Sequence, residues 1–309
     1  MFDLRKLRLL TYFASLGTIS AVAKSARLTP SAVSQQLAAL EKEARTQLLE
    51  RKGRHLTLTE AGRALVLSAE RIFAEVERAE NQLAYLREGG KEIIQLATFP
   101  SASRLVVPRA LAFCREVSRS IDINLHEMEA HQSLPALRRG EVDLALIDEY
   151  DPSPPLIEPG TDFIPLFTEQ MCLVLPAQHH LGKPGLALTD CAAEQWITCH
   201  PGTLYHSAIL SLCATAGFTP RITYTTNDFT VILAMVEAGL GVSLVPSISI
   251  AQVRYDIRCL VPSDYPTRRR ISVAVRTVSR SRPAVRRLLH ALTTVTADLD
   301  GLSLPDIHP

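Results

Sequence analysis

Residues 20–41 read SAVAKSARLTPSAVSQQLAALE, and no other stretch limits the fold of this chain so tightly. Ala21, Ala23 and Ala26 give small surfaces on which two helices cross closely, and Arg27–Thr29 interrupts the pattern. Thr29 is a good N-cap and Pro30 a good first residue for a second helix. In that second helix Ala32, Val33, Leu37 and Leu40 recur at helical spacing. Ser31, Ser34, Gln35 and Ala38 are left on the opposite face. Two short helices across a tight turn, the second with a small polar face, form the outline of a helix-turn-helix, whose second helix lies in the DNA major groove. The outline alone also fits any pair of amphipathic helices, so the neighbouring residues decide.

Those neighbours are basic. Residues 48–59 read LLERKGRHLTLT, a Gly53-centred turn between two short apolar runs, which predicts a hairpin bearing Arg51, Lys52 and Arg54. Up to Leu58 the chain has ten Lys/Arg against four Asp/Glu, a charge of +6. The remainder has 23 against 28, a charge of −5. The positive charge is therefore located at one end rather than spread over the surface, as expected where a polyanion docks. Pro30, Ser31, Ser34 and Gln35 are the candidates for base edges, and Arg51, Lys52 and Arg54 for phosphates or the minor groove.

The order TYFASLGTISAVAKSARLTPSAVSQQLAALE, then LLERKGRHLTLTEAG, resembles the winged helix-turn-helix of LysR-type transcriptional regulators, and the resemblance runs to the C-terminus. It implies an N-terminal all-α winged helix-turn-helix with a long linker helix, then a C-terminal α/β two-lobed, periplasmic-binding-protein-like (type 2) effector domain. The corresponding boundaries are 1–59, 60–90 and 91–309, with one lobe at about 91–167 and 268–309 and the other at about 168–267. Three positions depart from the family pattern: Ala26 for Leu, Arg45 for Gly and Leu49 for Phe. Arg45 has a physical consequence. A helix C-cap favours left-handed backbone, which costs a non-Gly residue about 1 kcal/mol, so the helix end is expected to differ locally.

The region after Thr59 predicts a long helix. Leu65, Ala69, Ile72, Val76, Ala79, Leu83 and Leu86 alternate in steps of four and three, a heptad-like seam that Gly89-Gly90 ends. Such a seam packs either along its own C-terminal domain or against the same helix of a second subunit. The resemblance implies a homodimer, often a homotetramer, that reads an inverted-repeat site in double-stranded DNA.

Beyond Gly90, strands alternate with helices. Strands are expected at Ile93–Thr98, Ile121–Met128, Val142–Ile147, Met171–Pro176, Trp196–Cys199 and Ile271–Arg276, with single helices at Ser103–Val117, Leu134–Arg139, Tyr205–Ala216, Phe229–Ala238 and Arg282–Asp298. Their apolar runs predict a mainly parallel sheet covered on both faces. In such a fold ligands sit beyond strand ends and between lobes. Ser101, Ala102, Ser103, Asp148, Thr203, Asn227 and Pro246 are the effector-binding candidates, although serine and asparagine there serve equally as helix caps. The resemblance implies a small organic acid, amino acid or aromatic metabolite as effector. His200 and His206 are expected to face solvent, and the Arg-rich stretch 268–287 to form a strand edge and a solvated helix face.

Other functions have less support. The six cysteines form no C-x-x-C pair, so no metal and no cofactor are expected. Peroxide-sensing members of the family have a cysteine pair bracketing the helix after the WIT-like strand. Here Cys213 lies near its end, but Leu204 stands at the partner position and Cys199 lies before it. A redox sensor of the same family and a solute-binding protein remain alternatives. No nucleophile–base arrangement marks an enzyme. No stretch approaches the roughly 20 apolar residues of a membrane span, and no secretion signal opens the chain, so a cytoplasmic location is expected.

Overall fold

Asp3 starts the first helix by accepting the Arg5 N–H at 2.8 Å, and Gly17, at φ 71°, closes it. In the computed structural model, residues 2–52, 55–87, 92–117, 121–151, 153, 155–158, 160–250 and 255–299 are described. The head contains α1 (Leu4–Leu16), α2 (Ile19–Ala26), α3 (Pro30–Ala44), the antiparallel hairpin β1 (Leu49–Lys52) and β2 (His55–Leu58), and α4 (Glu60–Arg87). Thr18 and Thr29 cap α2 and α3, accepting from the N–H groups of Ala21 and Ala32 at 3.2 Å each. Leu7, Leu10, Phe13, Val22, Val33, Leu37, Leu40 and Leu48 form the head core, which the hydrophobic spacing of the sequence anticipates.

Arg45 corrects one expectation. The end of α3 does not deviate to spare it: Arg45 takes left-handed backbone at φ 54°, and the Thr46 N–H returns to the Glu41 carbonyl at 3.3 Å. Arg27 does the same at the end of α2, with φ 55°. The two returning N–H groups satisfy helix carbonyls that would otherwise lack partners, which offsets the conformational cost.

α4 is 28 residues long, about 42 Å at 1.5 Å per residue. Its first half joins the head core through Val66 and Ala69, whereas Ile72, Leu83 and Leu86 of the seam are exposed, the last two by 68% and 67%. Residues up to Glu92 form one unit together with Ile157–Asp162 and Arg276–Ser281. Within it the Thr277 hydroxyl donates to Asp162 at 2.8 Å and Arg280 pairs with Asp162 at 3.1 Å.

The second unit holds Ile93–Leu156, Phe163–Val275 and the chain from Arg282. Its elements are β3 (Glu92–Thr98), α5 (Pro100–Leu105), α6 (Val107–Val117), β4 (Ile121–Glu127), α7 (Ala130–Arg139), β5 (Leu144–Tyr150) and β6 (Thr161–Pro176). After these come β7 (Gln195–Thr198), α8 (Leu204–Thr215), β8 (Arg221–Thr225), α9 (Phe229–Glu237), β9 (Ser243–Pro246), α10 (Ser247–Ile250), β10 (Ile257–Leu260), β11 (Arg268–Arg276) and α11 (Pro283–Thr296). One core gathers Ile94, Leu96, Val106, Leu144, Val273 and Leu288; a second gathers Leu173, Trp196, Ile209, Leu233 and Val245. They form the two lobes.

The expectation of a mainly parallel sheet is corrected. The main sheet runs β10-β6-β11-β5-β3-β4, with β9 also on β6. β3 pairs parallel with β5, and β7 with β8, but β11 is antiparallel to β5, and β6 is antiparallel to β9 and β10. β6 carries the chain into the second lobe and β11 brings it back, and an apolar run reads alike in either strand direction, so the sequence pattern does not separate the two pairings. The expected Ser103–Val117 helix is two helices broken at Val106, and the expected Leu134 start lies at Ala130, where Glu129 and Gln132 make a capping box. The Met171–Pro176 strand reaches back to Thr161.

Gly62 permits the closest approach in the head. A Cβ there would lie 2.2 Å from the Leu48 carbonyl oxygen, which also accepts the Thr59 N–H at 2.9 Å. Gly62→Ala should therefore lower stability by about 1–3 kcal/mol in urea denaturation; a wild-type midpoint would contradict this packing.

Candidate functional site

Two sites emerge, one in each unit. In the head, Pro30, Ser31, Ser34 and Gln35 lie on the first two turns of α3 away from buried Val33 and Leu37, and all four are exposed. The Ser34 hydroxyl donates to the Pro30 carbonyl at 3.0 Å and so keeps its lone pairs outward; the Ser31 and Thr29 hydroxyls are 3.0 Å apart. The hairpin stands beside this helix because the Glu41 carboxylate accepts the N–H groups of Leu48 and Leu49 at 2.9 and 3.0 Å. Glu41 thus holds the first hairpin strand to the helix, a positioning role that no spacing rule in the sequence marks. Arg51 is exposed on that strand; the Lys52 side chain and Arg54 lie outside the described residues. Hydroxyls and an amide on a helix, with a basic hairpin at its side, match what groove reading and phosphate contact need.

The second site is a cavity of about 550 Å³ lined by Pro100, Ser101, Ser103, Arg104, Glu127, Thr226, Asn227, Asp228 and Phe229. Of the effector candidates, Ser101, Ser103 and Asn227 line it. Ala102 packs in the first lobe's core, Thr203 caps α8 by accepting the His206 N–H at 3.1 Å, and Pro246 is buried in the ladder opposite Met171. Asp148 lies deeper, behind the wall. The Asn227 amide spans the lobes, accepting the His200 N–H at 2.9 Å and donating to Glu129 at 3.2 Å. His200 is exposed as expected; His206 is half-buried, its ring 3.0 Å from the Cys199 carbonyl, because it lies on the first turn of α8.

Behind the cavity wall lies Arg269, and here the Arg-rich stretch corrects its expectation. β11 is an interior strand, and Arg269 is only 1% exposed. Its Nε and Nη2 donate to Glu169 at 3.0 and 2.7 Å, and its Nη1 donates to the Ser101 hydroxyl at 3.0 Å. Asp148 is 3.8 Å away, and Phe99 and Phe229 take the guanidinium on their rings. Burial alone would lower the Arg269 pKa, but Glu169, with Tyr150 and Asp148, holds it above its ordinary value. Asp148 moves up, driven by burial and opposed by Arg269; the Tyr150 hydroxyl donates to it at 2.5 Å. Glu169 also accepts the Ile248 N–H at 2.9 Å. A buried charge paired and hydrogen-bonded in this way ties β6, β11, α5 and α10 to one point.

The described cysteines are free, five of them buried. Burial pushes the thiols of Cys191, Cys213 and Cys259 up to about 12 and that of Cys199 well above its ordinary value. Reactivity needs the thiolate, so these thiols are poorly nucleophilic at neutral pH. His179, His180 and Glu194 place three possible ligand atoms within 4.8 Å of one another. The His179 Nδ1 accepts the Leu181 N–H at 3.3 Å, so the neutral ring carries its proton on Nε2, toward Glu194 at 3.4 Å. That tautomer suits a histidine–carboxylate pair rather than a metal bond at Nε2.

A family model described as a bacterial regulatory helix-turn-helix protein of the lysR family matches residues 4–63, and one for the LysR substrate binding domain matches residues 87–297. The chain belongs to the LysR family. Among its relatives, the transcriptional dual regulator GltC of Bacillus subtilis is 25% identical over 265 residues, covering 85% of this chain and 87% of that protein. A hydrogen peroxide-inducible genes activator of Dickeya chrysanthemi is 26% identical over 270 residues, covering 87% of each. Full-length BenM has the same fold, with a TM-score of 0.57 at 22% identity over 99% of this chain and 100% of that one. This LysR-family chain is a DNA-binding transcriptional regulator with an effector-binding domain, as its sequence implies. Among the described residues no helix is long and apolar enough to cross a membrane.

Removing one partner of a buried ion pair strands the other. Arg269→Met should cost about 3–5 kcal/mol in chemical denaturation; a loss under about 1 kcal/mol would show that the Glu169 pairing does not hold this region together.

Proposed function

We propose that the head reads operator DNA through Pro30, Ser31, Ser34 and Gln35 in the major groove, with Arg51, Lys52 and Arg54 on phosphates or in the minor groove. The observation that carries this reading is the outward face of α3 that Ser31, Ser34 and Gln35 share beside the Glu41-held hairpin. A second copy covers the seam of α4, where Leu83 and Leu86 stand exposed. The homodimer, or a tetramer built from it, then presents two heads to the half-sites of an inverted repeat. A small molecule in the cleft, against Ser101, Ser103 and Asn227, sets when the DNA is bound or transcription is activated. The work is done in the cytoplasm, and the chain regulates rather than catalyses. A redox sensor is less well supported, because the thiols of Cys199 and Cys213 are buried and protonated.

Fluorescence anisotropy with duplexes from the gene's own upstream region tests the roles. Affinity should fall steeply with salt, as phosphate neutralisation requires. Gln35→Ala should lose discrimination by about 1–3 kcal/mol at one base pair. Arg51→Ala should weaken all sequences alike and flatten the salt slope. The opposite pattern, or no binding at low salt, would overturn the assignment.

A further inference from the structure

We propose that the effector admitted by the cleft carries a positively charged nitrogen, an amine or a guanidinium, held by Glu129 together with Glu127 and Asp228. This rests on the reading of the cleft as the effector site and names the chemistry of its ligand.

The balance of charge around the cavity carries the argument. Glu127 at the end of β4 and Asp228 at the start of α9 are exposed on its wall, from opposite lobes. The one cation among the lining residues, Arg104, is hydrogen-bonded to the Thr230 hydroxyl. Glu129 is partly buried and accepts the amide of the lining residue Asn227 at 3.2 Å. Among the described residues no Lys or Arg pairs with it. The charged groups felt by its carboxyl are Asp148 and Glu127, both acidic, and Cys199 lies near it with a protonated thiol. Arg269 is the buried cation of the network behind the wall, but Glu169 occupies its Nε and Nη2, and Asp148 lies 3.8 Å from its Nη1. Burial, then Asp148, then Glu127 push the Glu129 carboxyl up to about 7. Such a carboxyl lacks a counter-charge, and a ligand cation supplies one.

A separate observation points into the same space. Ser103 is a lining residue whose hydroxyl, shielded from solvent in its present rotamer, has no hydrogen-bond partner among the described residues. Rotated toward the cavity, that hydroxyl accepts from a ligand N–H. An anionic effector would instead face Glu127, Asp228 and Glu129, with Arg104 as its one cation on the wall.

Isothermal titration of the full-length protein with five-carbon probes of matched length tests this. 1,5-Diaminopentane and agmatine are expected to bind, and glutarate and 1,5-pentanediol are not. Glu129→Gln should weaken the amines at least about tenfold, and Glu127→Gln, at an exposed position, should weaken them less. Ionisation of Glu129 precedes pairing, so the amines should bind more tightly at pH 8 than at pH 6, releasing a proton near pH 7. Amines that bind the wild type and Glu129→Gln equally, or do not bind at all, overturn the inference. Glutarate binding that Ser103→Ala abolishes would overturn it while leaving the cleft as the effector site. Failure of every probe would count against both readings.

Discussion

The effector half depends on a guanidinium removed from water. Arg269 is held by Glu169 on the neighbouring interior strand, by the Ser101 hydroxyl and by the rings of Phe99 and Phe229. Glu169 in turn holds the backbone of Ile248 where α10 begins. A charge buried this deeply is tolerated only with its partners in place, so the pair fixes the relation of β6, β11 and α5. Those strands are the ones that carry the chain into the second lobe and back. With Arg269 so committed, the charged side chains on the cavity wall itself are Glu127, Asp228 and Arg104.

Much of the head was legible in its sequence because its rules are local. Thr18, Thr29 and Pro30 mark helix starts, the spacing of Val33, Leu37 and Leu40 marks an inward face, and Gly53 marks the hairpin. Arg45 shows the limit of such rules. A C-cap that favours Gly is filled by arginine in the same left-handed conformation, because the returning Thr46 N–H satisfies the Glu41 carbonyl.

The effector half was legible as strands and helices but not as a site. Arg269 is one of three consecutive arginines, and nothing local separates it from exposed Arg268; its burial arises from the interior place of β11 in the sheet. Strand direction was misread for a similar reason, since the apolar runs of β6 and β11 look alike whichever way they pair. Thr203 and Pro246 stand at expected strand and helix ends, yet one is occupied by capping and the other by a ladder, whereas Ser101, Ser103 and Asn227 reach the cavity. Glu129 was hidden as an ordinary capping residue before α7.

The two halves divide the work. In the proposed function the head selects a DNA sequence with a few uncharged side chains and gains affinity from its basic hairpin, while the seam of α4 brings two heads together. In the same proposal the cleft reads a small molecule through the charge on its wall. DNase I footprinting on the gene's own upstream region tests this most directly. The account predicts two protected half-sites on one face of the duplex, their centres a whole number of helical turns apart, about 10–10.5 base pairs each. A single protected half-site at saturation, or protection without sequence preference, would contradict it.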